Sequence, residues 1–397
     1  MNVLLVHNFY QQPGGEDQVF ADEGRLLEQH GHTVGRFTMD NDDVATLGKL
    51  TVAKKTIWNR EAAQSLRKAI RQINAQVVHF HNTFPLISPA GYYAAHEEGA
   101  AVVQTLHNYR LMCVTATLCR NGGVCEDCLG RTIAWPGILH ACYRGNRAAS
   151  AVVAAMQTFH RLKGTWQREV DIYIALSEFG RKKFIEAGLP PGKILVKPNF
   201  LNAAPAVGQG QGDYALFVGR LSAEKGIATL LEAWPKVYAA TGVKLKIIGD
   251  GPLRPSVEAA LKDGAGIEYL GRVDLQKEGY ATMAAAQALI FPSVWYEGQP
   301  KTLIESLATG SPVLASRLGT MAEMVVDGQT GLFFEAGNAD DLARQAQALL
   351  SSQTDRQRMR RVARLEFEVR YTAEKNYPLL IRCYEAALKS HRSEHEN

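Results

Sequence analysis

A doubly wound α/β protein with two parallel-sheet domains is the fold class that this sequence predicts. Three observations carry it. Short apolar runs recur with helix-patterned segments between them, the runs are continuous rather than alternating, and a stretch rich in Gly and Pro divides them into two series. Continuous apolar runs belong to strands buried on both faces. Strand alternating with helix throughout belongs to doubly wound sheets.

The first series is Val3–Phe9, Val34–Met39, Val77–His81, Val102–His107 and Ile172–Ser177. The second is Ala215–Val218, Leu245–Ile248, Ile267–Leu270, Ala288–Phe291 and Val313–Ser316. Between them, Pro198-Asn199 and the aperiodic run from Ala203 to Gly212 read as a linker. The expected organisation is an N-terminal Rossmann-like domain over 1–200, a linker over 201–212 and a second Rossmann-like domain over 213–370. A closing helix and tail, 371–397, are able to pack back on the N-terminal domain. Two such sheets facing each other across a cleft turn their strand C-terminal ends toward the gap, where open α/β sheets bind ligands.

At 397 residues the chain is too long for one ordinary core. A net charge of +4 gives no electrostatic case for nucleic acid. Residues 1–200 carry 22 Lys+Arg against 17 Asp+Glu, so the basic excess lies there. Met1–His7 lacks a basic leader and enters an apolar strand at once, and no apolar run reaches membrane-spanning length. The expected location is the cytoplasm, with peripheral contact to the inner face of the membrane as an alternative.

Three segments point to a phosphate-bearing ligand. In Phe217–Gly226 a strand ends at Gly219, and Arg220 and Lys225 follow before a helix begins. Cations between a strand end and a helix N-terminus suit a phosphate, because the helix end adds unpaired N–H groups and a positive dipole end. Ile247–Pro252 is a second strand ending in a glycine turn, but a lone Gly-x-Gly is weak evidence. In Phe291–Glu305 a strand leads through a loop into a helix, with Pro300 expected at the first helical position. Gly298 permits close approach of a ligand to the backbone, and Glu297 and Glu305 are suited to accept hydrogen bonds from vicinal sugar hydroxyls.

This combination resembles the retaining glycosyltransferases of family 4, of GT-B fold. The resemblance rests on Gly219-Arg220-Leu221 with Glu224-Lys225-Gly226, on the Glu297/Glu305 spacing, on Gly310–Ala315 and on Asn338–Leu342. It runs through the second domain nearly end to end. In the first domain it holds in outline, at Gly14-Gly15, His107 and Ser177-Glu178. It implies a nucleotide-diphosphate sugar as donor, a glycan or lipid-linked saccharide as acceptor, and retention at the anomeric carbon without a catalytic metal. Arg220 and Lys225 would neutralise the diphosphate, and Glu297 would hold hydroxyls of the transferred sugar, assisted by backbone N–H groups between Gly298 and Lys301, with Gln299, Pro300 and Thr302 in the same donor-binding segment. Glu305 would bind the ribose, Gly271-Arg272-Val273 would flank the base, and His107 would contact the transferred sugar near the reaction centre. Gly14 and Gly15 would bring backbone N–H groups to the donor phosphate and the acceptor. Gln299 and Lys301 depart from the commoner family residues, so donor preference is expected to be written there. The competing readings are a GT-B-fold epimerase or phosphorylase and a nucleotide-sugar-binding protein without transferase activity.

Two features stand outside that scheme. Cys113, Cys119, Cys125, Cys128 and Cys142 crowd an insertion at about 110–145. Cys113, Cys125, Cys128 and Cys142 suit a structural zinc, with unligated thiols and a disulfide as the other readings. The segment Ala53–Ile73 is basic and helix-like, either lying on a membrane surface or packing Ile57, Leu66 and Ile70 inward.

Overall fold

The computed structural model describes residues 1–11 and 14–395. The chain forms two compact units, one of Met1–Leu118, Glu126–Asn199 and the stretch from Ala373, the other of Cys119–Cys125 and Phe200–Thr372.

The first unit contains β1 (Asn2–Phe9), β2 (Thr33–Asp40), β3 (Val77–Asn82) and β4 (Ala101–Leu106). The hairpin strands β5 (Cys119–Arg120) and β6 (Gly123–Val124) follow in the chain, then β7 (Ile172–Ala175) and β8 (Ile194–Val196). The parallel sheet has the order β2-β1-β3-β4-β7-β8. Every residue of β3, β4 and β7 is buried, whereas β2, at the sheet edge, alternates. That contrast is what a central and an edge position require. The closing helix, Ala373–His395, lies on this unit, placing Leu380, Cys383, Tyr384 and Ala387 in one core with Val3, Leu5, Val77 and Val103.

The second unit contains β9 (Tyr214–Val218), β10 (Lys244–Ile248), β11 (Ile267–Gly271), β12 (Leu289–Phe291), β13 (Val313–Ser316) and β14 (Gly331–Phe334), in the parallel order β11-β10-β9-β12-β13-β14. Its strands feed two cores by strict alternation. Ala215 and Phe217 enter one with Leu245 and Ile290, and Leu216 and Val218 enter the other with Ile248 and Leu289. Burial on both faces is why the runs read as continuous apolar stretches. The segment 201–212 is held to this unit by its backbone: Leu201 N–H donates to Tyr371, Gly208 N–H to Thr309 and Gly212 N–H to Ala285.

The strand orders place the sites. In the second sheet the chain runs outward from β9 through β10 to β11, then returns to the other side of β9 with β12. The crevice at the C-terminal ends of β9 and β12 is therefore the topological switch point, and in the first sheet the same logic selects β1 and β3.

Candidate functional site

Both donor segments of the second unit start at that switch point. The loop 219–226 leaves β9 and the loop 292–300 leaves β12. They are clamped together: Val294 N–H donates to the Glu224 carbonyl at 2.9 Å, and Gly226 sits so close to Pro292 that a Cβ would lie 1.9 Å from its carbonyl oxygen. Gly226 also has φ of +73°, so both contact and conformation call for glycine.

This clamp brings Lys225 to Glu297, Nζ to Oε1 at 2.6 Å, with the Lys225 side chain 21% and that of Glu297 6% exposed. Ser293 donates its hydroxyl to the same oxygen at 2.6 Å. Two donors on one oxygen of a buried carboxylate fix its plane. The Lys225 ammonium stands 5.4 Å from the Trp295 ring centre and 5.8 Å from that of Phe291, a cation held over aromatic faces. Arg220, at the start of the same loop, is exposed.

The helix after the loop is Lys301–Thr309. Pro300 is its N-cap with ψ of 120°, so the helix starts one residue later than expected and Lys301 is its first residue. No side chain caps it, which leaves its first-turn N–H groups directed at the crevice. Glu305 is buried one turn in, Gln299 is buried, and Thr302 and Lys301 are partly exposed. Thr320 donates to the Gly298 carbonyl at 3.1 Å and ties down the loop from β13. Gly271, Arg272 and Val273 lie at the end of β11, two strands from β9 on the same sheet edge. Arg272 pairs with Asp250 at 3.5 Å, and Val273 packs against the core containing Ile248.

In the first unit His107 follows β4 directly. Its Nε2 lies 3.0 Å from Nδ1 of His81. Behind them is a buried polar cluster. Glu23, on the helix Gly15–Gln29, places Oε1 2.7 Å from Lys197 Nζ and Oε2 3.4 Å from His81 Nε2 and 3.5 Å from His79 Nδ1. His79 bonds Tyr384 of the closing helix at 2.9 Å and Thr105 at 2.7 Å. Burial alone would raise the Glu23 carboxyl, but Lys197 and then His81 hold it well below the usual range. Burial, reinforced by His81, holds His107 well below the ordinary histidine value.

Gly14 N–H donates to Asp17 Oδ2 at 2.7 Å, capping the helix Gly15–Gln29, while Asp17 Oδ1 holds His7 Nε2 at 2.7 Å. A carboxylate three residues into the helix has claimed that N–H. Gly15 opens the helix itself.

Of the four cysteines suited to zinc, Cys125 belongs to the second unit and Cys113, Cys128 and Cys142 to the first. Among the described residues, two triads of His, Cys, Asp or Glu bring ligand atoms within 4.8 Å of one another, Glu23/His79/His81 and His96/Asp171/His391, and neither contains a cysteine. Cys113 instead contacts Thr115 Oγ1 at 3.2 Å, and Cys128 is buried against Gly137. The Glu23 triad has the Lys197 ammonium where a cation would sit.

The basic segment is two helices, Lys49–Ile57 and Arg60–Ile73, broken at Asn59, whose side chain caps the second. Leu66 and Ile70 point inward. Lys55 pairs with Glu61, Arg67 with Glu97 and Arg71 with Glu98. Much of its charge is thus matched within the protein.

Ser293, Thr320 and the Glu23–Lys197 cluster escaped the sequence reading. A signal for the cluster existed in His79-Phe80-His81, since alternate strand positions share a face. Glu23 and Lys197 carried none.

Two family models cover most of the chain: one described as "Glycosyltransferase Family 4" matches residues 13–204, and one described as "Glycosyl transferases group 1" matches 212–352. Phosphatidyl-myo-inositol mannosyltransferase of Mycobacterium leprae is 30% identical over 218 residues, 51% of this chain and 56% of that protein. Glycogen synthase of Mycobacterium tuberculosis is 28% identical over 240 residues, 57% and 56%. The chain thus spans about half the length of the curated relatives it matches. Among solved structures, sucrose-phosphate synthase from Thermosynechococcus elongatus superposes with a TM-score of 0.70 at 15% identity, over 97% of this chain and 98% of that one. Anabaena HepE in complex with UDP gives 0.67 at 16%, over 97% and 100%. These likenesses establish the two-Rossmann GT-B fold. With both units matched by models of one enzyme group, and with the Arg220, Lys225, Glu297 and Glu305 pattern in place, the chain belongs to the family 4, group 1 glycosyltransferases.

Proposed function

We propose that this chain is a retaining glycosyltransferase that moves a hexose-type sugar from a nucleotide-diphosphate sugar to a saccharide acceptor on a lipid or glycan carrier. The observation that carries the proposal is the Lys225–Glu297 pair, which joins a cation to a hydroxyl-binding carboxylate at the β9/β12 switch point, against an uncapped helix N-terminus. Departure of the diphosphate builds negative charge there. Arg220, Lys225 and the first-turn N–H groups of Lys301–Thr309 would meet that charge, so the chemistry is proposed to run without a catalytic metal. Glu297, oriented by Ser293, holds the transferred sugar, and Glu305 holds the ribose. The proposed route is front-face: the leaving phosphate oxygen takes the acceptor proton as the acceptor oxygen attacks the anomeric carbon. HepE, whose solved structure contains UDP, supports a uridine donor by likeness of fold alone.

Peripheral membrane contact belongs to the same proposal but not to the segment Ala53–Ile73 as a whole. Leu50 (80% exposed), Trp135 (51%) and Leu162 (74%) sit on three helices of the first unit, and those of Leu50 and Trp135 both pack against the helix Arg147–Leu162. No described helix is long and apolar enough to cross a membrane.

The test is a thermal-shift panel of UDP-, GDP-, ADP- and dTDP-sugars followed by a transfer assay with the stabilising donor. Glu305→Ala and Lys225→Ala are expected to abolish transfer while leaving the fold intact. Full transfer by either variant would overturn the site assignment.

A further inference from the structure

The first unit contains a cavity of about 570 Å³, in the usual range for a site holding one small ligand. It opens between the helices Lys49–Ile57 and Arg147–Leu162. Its walls are largely apolar, with Val44, Leu47, Val52, Phe84, Tyr143 and Val153 among them. Gln11, two residues beyond β1, and Phe84, two beyond β3, line it as well, so one end of the cavity adjoins the β1/β3 switch point. The Arg110 guanidinium lies 4.4 Å from the Phe84 ring centre and 5.3 Å from that of Tyr143, which fixes both rings.

Charge at the cavity is of one sign. Lys49 and Arg144 line it, both exposed, and among the described residues lining it there is no carboxylate. The N-terminus of the 16-residue helix Arg147–Leu162 is also there, with its cap Asn146 and Ala149 in the wall. Its dipole adds positive potential. An apolar chamber with a cationic mouth suits an amphiphile with a hydrocarbon chain and an anionic head. The neighbouring Leu50, mostly exposed, offers such a molecule an apolar approach from a lipid surface.

We propose that this cavity holds the hydrocarbon chain of a lipid phosphate, the carrier end of the acceptor, with Lys49 and Arg144 on its phosphate. This narrows the acceptor to a lipid-linked one and rests on the glycosyltransferase reading for its biological sense, though not for its binding chemistry.

The test is titration calorimetry of the full chain with farnesyl phosphate below its micellar concentration, beside farnesol and inorganic phosphate. Saturable binding of farnesyl phosphate at one site is expected, at least tenfold tighter than farnesol, with no heat from inorganic phosphate. Arg144→Ala should bring farnesyl phosphate down to the affinity of farnesol. Ala149→Trp and Ala53→Trp fill the cavity from opposite walls and should each weaken binding at least tenfold, while an unchanged nucleotide-sugar thermal shift certifies the fold. Failure of farnesyl phosphate to bind, binding of inorganic phosphate alone, or undiminished binding in both folded tryptophan variants would overturn the proposal. Transfer to soluble glycans without lipid-phosphate binding would sink this inference and leave the transferase reading standing. Cavity-dependent lipid-phosphate binding without any nucleotide-sugar transfer would do the reverse.

Discussion

Replacing Glu23 by Leu should be among the most damaging single changes in the first unit, and a second substitution should repair much of the harm. Both Glu23 and Lys197 side chains are 0% exposed, and their charged atoms are 2.7 Å apart. With Glu23 gone, the Lys197 ammonium loses the carboxylate 2.7 Å from it, while it keeps the Asn376 side-chain oxygen at 3.1 Å and the Pro198 carbonyl at 3.4 Å, with His79 and His81 nearby. Breaking a fully buried pair from one side costs about 3–5 kcal/mol, because the remaining charge keeps its desolvation penalty. That is a large share of a typical stability of about 5–15 kcal/mol. Lys197→Met in the Glu23→Leu background removes the stranded charge and should recover at least half of the loss, giving a coupling energy of at least about 2 kcal/mol. The assay is a urea series read by hydrogen exchange in β3 and β4 peptides, since two units need not unfold together. A loss below about 1 kcal/mol for Glu23→Leu, or simple additivity in the double variant, would refute the buried-pair account.

Three further outcomes follow from named contacts. Burial alone would lower His96, but Asp171 at 3.0 Å and Glu169 at 3.4 Å raise it to about 9. Its contribution, up to about 3 kcal/mol, is fully present below the unfolded value near ~6.5 and is lost as pH rises through about 9. Urea midpoints of the native protein should therefore fall across that window, and His96→Phe should flatten the curve. A decline of equal size in the variant would place its origin elsewhere. Lys225→Met should cut transfer by about 10²–10³, the scale of losing one charge-stabilising group, with unchanged circular dichroism; a loss under tenfold would remove Lys225 from the charge-neutralising role. Gly226→Ala must accommodate a Cβ 1.9 Å from the Pro292 carbonyl at φ +73°, a strain of at least about 1–2 kcal/mol. The two loops should separate and the nucleotide-sugar thermal shift should shrink, whereas a native shift would show that the clamp is not needed.

Sequence reading located ten of the twelve strands of the two parallel sheets as apolar runs, including β2 and β11, whose residues are only partly buried or exposed. β8 and β14 went unseen, and two of the three residues of β8 are only partly buried. The hairpin strands β5 and β6, two residues each, are too short to show any period. The donor loops were legible because each joins a strand end to a helix start and carries its charged residues within a few positions. The helix at Lys301 began a residue later than expected because Pro300 keeps an extended ψ.

The sequence by itself determined the fold class, the donor segments and the residue types that meet phosphate and hydroxyl groups, since hydrophobic periodicity and loop chemistry are local properties. Only the tertiary structure decided which of them touch. Lys225 reaches Glu297 because β9 and β12 are neighbours, and strand order is not written in local periodicity. The same holds behind His107, where side chains from the first helix, β3, the residue after β8 and the closing helix meet in one buried cluster. Buried charges tolerate such placement only in company, and the company comes from distant parts of the chain.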